Sequence, residues 1–95
     1  MANPTPRKLA EEMVERDGGL CQRCFDKGVV IHHIVYGGTG RKRIHRIENL
    51  ITLCLFCHKK AHSEKTMREW TYRWSREKYG PVVDELLKEK WMITL

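Results

Sequence analysis

The 95-residue sequence has no apolar run long enough to span a bilayer, and its opening stretch, "MANPTPRKLAEEM", lacks the apolar core of a signal peptide. No membrane span is therefore expected, and the expected compartment is intracellular and reducing. There, Cys-x-x-Cys pairs hold metal more often than they form disulfides. The chain also lacks internal repeats and low-complexity segments, which excludes a repeat array. Acidic residues are in deficit: 12 Asp and Glu against 18 Lys and Arg give a net charge of +6. That balance favours a polyanionic partner such as nucleic acid or an anionic membrane surface, although solubility alone also accounts for a mild excess. A chain of this length buries only a thin core, so a metal or disulfide staple is in keeping with its size.

Against those absences stands a concentration of ligand-type side chains. "LITLCLFCHKKAHS", Leu50 to Ser63, holds Cys54, Cys57, His58 and His62, while "CQRC" and "IHHI" upstream add Cys21, Cys24, His32 and His33. These eight residues admit one crowded site, two sites of one kind, or two sites with different jobs.

The spacing around them predicts an α+β protein. Residues 3–19 read as a helix capped by Thr5, with Pro6 in its first position and Gly18 or Gly19 at its end. Leu9, Met13 and Leu20 give it an apolar edge. After the "CQRC" knuckle, "KGVVIHHIVY" reads as a strand that stops at Gly37-Gly38. The glycine-rich, wholly non-acidic "GGTGRKRIHRI" predicts a mobile basic loop, and "NLITL" a returning strand. Helical spacing follows from Cys57 to Ser63, then in "TMREWTYRWSREKYG", then in "PVVDELLKEKW", whose Val82, Val83, Leu86, Leu87 and Trp91 point inward.

Cys21, Cys24, Cys54 and Cys57 form C-x2-C-x29-C-x2-C. Two knuckles of this spacing can offer four thiolates to one zinc ion, in a closed site that builds the fold and does no chemistry. Paired disulfides and a dithiol redox motif are the rival readings. The histidines are then free for a second centre or for ordinary positions at the surface or core edge. Consecutive residues on a helix point about 100° apart. Cys57 can therefore face the structural zinc while His58, with His62 one turn on, faces away. His32 can complete a three-histidine set with open positions, and His33 is left to accept a proton. In an ideal strand His32 and His33 face opposite sides, so serving one phosphate requires the strand to end or distort there.

"CQRC", "HHI", "ENLITLC" and "CLFCHKKAH", in this order, resemble the HNH endonuclease family with its ββα-metal fold, over roughly residues 18–63. The length of the chain points to a single domain, 1–95. By the resemblance, its core, 18–63, combines a ββα-metal unit with a four-cysteine zinc ribbon, flanked by an N-terminal helix and by a helical extension, 64–95. The resemblance implies that His33 is the general base, that His32 and His58 bind the catalytic metal, and that His62 matches a third ligand found in some members. Asn49 would fix the inter-strand loop through backbone hydrogen bonds. Many members carry Asp where this chain has His32. An oxygen ligand suits Mg²⁺, whereas the all-imidazole set leans towards Mn²⁺, Zn²⁺, Ni²⁺ or Co²⁺ beside the structural Zn²⁺.

The activity implied is metal-dependent hydrolysis of DNA, by nicking or double-strand cleavage and with low sequence specificity. Arg41, Lys42, Arg43, Arg46, Lys59 and Lys60 are candidate phosphate contacts, or a solvated face. Trp70 and Trp74, with Met67, make a helical stripe suited to packing on the last helix, with base stacking as the alternative. The alternative class is a non-catalytic zinc-ribbon module that binds nucleic acid or protein. Small HNH proteins of this size are similar to those of tailed phages, which implies a bacterial or phage-infected cytoplasm, a packaging terminase as partner, and a monomer.

Overall fold

A computed structural model describes residues 5–28, 30–35 and 44–94, with side chains described as far as Lys88. Of the predicted basic loop, residues 37–47, the part from Gly37 to Arg43, including Arg41, Lys42 and Arg43, lies outside the described residues, as does the side chain of Trp91.

Helix α1, Arg7–Asp17, starts one residue later than the sequence suggested. Pro6 is the N-cap itself, and Thr5 sits outside the helix, with no side-chain cap. The C-terminal stop is as expected. Gly18, at φ 65°, takes the left-handed conformation that costs glycine little, and its N–H donates to the Val14 carbonyl. Met13 is the buried apolar residue of this helix, whereas Leu20, expected on the apolar edge, is exposed.

Strands β1, Val30–His33, and β2, Leu50–Leu53, form a two-stranded antiparallel sheet with Val30 opposite Leu53 and His33 opposite Leu50. Both are shorter than the β-branched runs suggested, and a short 3-10 helix, Ile47–Asn49, leads into β2. The first knuckle returns along a narrow ribbon in which Leu20 pairs with Lys27. There Gly28 passes so close to β2 that a Cβ would collide with the Thr52 side chain.

Helices α2 (Leu55–Ser63), α3 (Lys65–Tyr79) and α4 (Val82–Thr94) complete the chain. Glu64 both ends α2 and opens α3. The order is α+β, with a ββα unit inside three further helices, as the sequence suggested. Ile51, Leu53, Ala61, Met67, Val83 and Leu86 form one core, with Trp70, Trp74, Val82 and Leu87 packed against it. The tryptophan stripe is therefore partly consumed by packing. Among the described residues no helix is long and apolar enough to cross a membrane.

Arg16 and Asp17 tie α1 to this core. The Arg16 guanidinium donates to both Asp17 carboxylate oxygens at 2.6 and 2.8 Å, to the carbonyls of Ile47 and Leu50, and to the Tyr79 hydroxyl. It also lies 4.8 Å from the Trp74 ring centre. The buried Asp17 accepts in turn from the Thr52 hydroxyl and N–H. Burial disfavours the Arg16 charge, but hydrogen bonds to Asp17 and Tyr79 outweigh it and raise its pKa.

Candidate metal centres

The sheet and α2 bring the ligand-type residues into two separate groups. The ligand atoms of Cys21, Cys24, Cys54 and Cys57 all lie within 4.8 Å of one another, and so, in a second cluster, do those of His32, His58 and His62. The division follows from α2. Cys54 is its N-cap, with a sulfur that accepts from the Cys57 N–H at 3.4 Å, and Cys57 turns inward one turn later. The next residue, His58, points about 100° away, and His62 follows on the same face.

All four cysteines are free thiols in this structure. The Cys24 and Cys54 sulfurs stand 3.7 Å apart, matching the separation of about 3.7 Å expected for two thiolates at 2.3 Å from one tetrahedral zinc. Burial raises the Cys21 thiol, yet N–H groups of Cys24, Cys54 and Arg23 reverse the effect and bring it down to about 7. Burial and then the sulfurs of Cys54 and Cys21 push Cys57 up. Four converging sulfurs thus resist joint ionisation, and a divalent cation removes that conflict. The residues fit a structural zinc.

The histidine cluster fits a metal as well. His32 Nδ1 and His58 Nδ1 are 3.2 Å apart, close to the separation of about 3.3 Å for two imidazole nitrogens sharing a tetrahedral ion. His32 is 1% exposed, and its Nε2 is buried without a hydrogen-bond partner. Burial, then the neighbouring His58, His62 and His33, lower its pKa to about 3, so the ring is neutral and suited to ligation at any working pH. Burial and then His62 lower His58 too. His62 is exposed at the outer edge.

β1 ends at His33, and a bend at Ile34 and Val35 follows; His32 and His33, the last two residues of the strand, are both buried. His33 is 8% exposed, and its Nε2 lies 3.4 Å from His45 Nδ1. His45 was not singled out in the sequence. Its signal was weak, a lone histidine within a basic run, and only the fold brings it across 12 positions to His33.

Asn49 is fully buried. Its side chain accepts from the Val35 N–H at 2.7 Å and donates to the carbonyls of Val35 and Ile44, while its own carbonyl accepts from the Ile34 N–H. It thereby clasps the two ends of the inter-strand connection. Of the basic candidates, Arg46 is exposed and paired with Glu48 at 3.5 Å. Lys59 is exposed on α2, and Lys60 lies over the Phe56 ring, 5.3 Å from its centre.

Neither the curated proteins nor the solved structures contained a match to this chain. Residues 21–64, by contrast, match the family model described as HNH endonuclease. The matched stretch takes in every cysteine and histidine of both clusters, together with Asn49, and on that evidence the chain carries an HNH endonuclease family segment at residues 21–64.

Proposed function

We propose that the chain is a metal-dependent endonuclease that hydrolyses phosphodiester bonds in DNA with low sequence specificity. The observation that carries this reading is the three-histidine cluster, set apart from the four-cysteine cluster, with the buried His33 ring next to it in sequence. His32, His58 and His62 would hold a divalent ion, which would supply positive charge at the scissile phosphate.

The remaining work falls to the chain. His33 takes a proton from water, the water oxygen bonds to phosphorus in line with the leaving group, and the P–O3′ bond breaks. The 3′ oxygen takes its proton from solvent, giving a 5′ phosphate and a 3′ hydroxyl. His45, within hydrogen-bond reach, holds the His33 ring in place, and Asn49 fixes the connection that follows His33. Arg46 and Lys59, with Arg41, Lys42 and Arg43, provide phosphate contacts that position a duplex without reading its sequence. A packaging terminase as partner, and action as a monomer, belong to the same proposal.

Incubation with supercoiled plasmid and Mn²⁺, Mg²⁺, Ni²⁺, Co²⁺ or Zn²⁺ tests it, with both strands mapped. Hydrolysis by the wild type that falls by about 10²-fold or more in His33→Ala supports the endonuclease. A wild type inert with every ion favours the binding module instead.

A further inference from the structure

The face of α2 turned away from the histidines borders a cleft of about 430 Å³, closed by the first knuckle and α3. Phe56, Cys57, Lys60 and Glu64 line it from α2, Arg23 from the knuckle, and Trp70 and Arg73 from α3. Helical geometry sets Phe56 and Lys60 on one side of α2, and His58 and His62 roughly opposite. The cleft is therefore separate from the histidine centre.

Its chemistry is that of cations interleaved with aromatic faces. The Arg23 guanidinium lies 5.3 Å from the Trp70 ring centre, and Lys60 Nζ lies 5.3 Å from that of Phe56. No ion pair among the described residues involves Arg23, Lys60 or Arg73, so three positive charges face one carboxylate, Glu64. Phe56 is 69% exposed although it sits between two zinc-type ligands, where a polar residue would be the cheaper choice. Phe25, next to Cys24 on the same knuckle, is 68% exposed and holds a left-handed φ of 62°, a conformation that favours glycine.

The geometry points to a second nucleic-acid-binding site here, one that takes an unpaired base against Phe56 and Trp70 and its phosphates against Arg23, Lys60 and Arg73. Aromatic platforms flanked by cations are how proteins hold single strands without reading their sequence. A paired base keeps its faces stacked within the duplex, so the cleft selects single-stranded nucleic acid, such as a frayed or displaced strand beside a cut. An acidic peptide would use the charges but not the flat ring faces.

Binding is measured without hydrolysis, so the outcome is independent of the proposed activity. A fluorescein-labelled oligothymidylate of about ten nucleotides is titrated with the zinc-loaded 95-residue chain at low salt, without other added divalent ions, and anisotropy is followed. The titration is repeated with the variant Phe56→Ala/Arg73→Glu, which changes exposed side chains, and its melting temperature is compared with wild type.

The expected result is binding by the wild type, weakened about tenfold or more in a variant that melts normally. Equal affinity in the two proteins overturns the inference. So does an absence of oligonucleotide binding by the wild type, or a preference for an acidic peptide of equal charge over the oligonucleotide. If the double variant melts early, the single variant Phe56→Ala is read by the same criteria.

Discussion

Cys57 and His58 are consecutive in α2, yet the thiol joins a cluster of four sulfurs and the imidazole a cluster of three histidines. One peptide bond thus separates a thiol that fits a structural metal from an imidazole that fits a second one. The two roles come apart under mutation.

For the sulfur cluster, Cys21→Ala is expected to abolish cooperative folding, because structural zinc binding and folding are one free energy. Circular dichroism and zinc content measure this together. A variant that melts like wild type contradicts a scaffold role for the cluster.

Asn49 satisfies three backbone groups that are otherwise stranded in the interior. Asn49→Ala should cost about 3 kcal/mol, which for a domain of this size lowers the melting temperature by about 10 °C or more. Thermal melts of the two proteins decide it, and a shift of only a few degrees shows that the clasp matters little.

The Arg16–Asp17 pair predicts a larger loss. Arg16→Met leaves the buried Asp17 carboxylate with Thr52 alone, and removing one partner of a buried pair costs about 3–5 kcal/mol. Urea unfolding of the variant reads this directly. A loss below about 1 kcal/mol would mean that the pair behaves as an exposed one.

These cases mark what could be read from sequence. The knuckles and the His58/His62 pair were legible because each is defined within a few residues, by Cys-x2-Cys and by a helical repeat of four. The Arg16 network was not, since apart from Asp17 its partners lie 31 to 63 positions away and no local pattern announces them. The His33–His45 contact was hidden for the same reason, and the cleft of Arg23, Phe56, Trp70 and Arg73 exists only once α2 and α3 pack together. Strand lengths were overestimated because β-branched residues continue past His33, where the chain bends and Asn49 takes over the hydrogen bonds of Val35.

Stability should also depend on pH through His32. Its pKa is about 3 in the fold against 6.5 for a free imidazole, so between these values the unfolded chain binds more protons. The contribution is complete above about pH 6.5 and is lost progressively as pH falls towards 3. Urea unfolding between about pH 7.5 and about pH 5 should show a shallower decline in His32→Leu than in wild type. Parallel curves contradict the burial of a neutral ring.

The separation of the two clusters is tested most directly by measuring zinc content and plasmid hydrolysis on the same preparation of His58→Ala. The account predicts that tightly bound zinc and a normal melt are retained while hydrolysis is lost. Loss of that zinc, or hydrolysis at the wild-type rate, contradicts it.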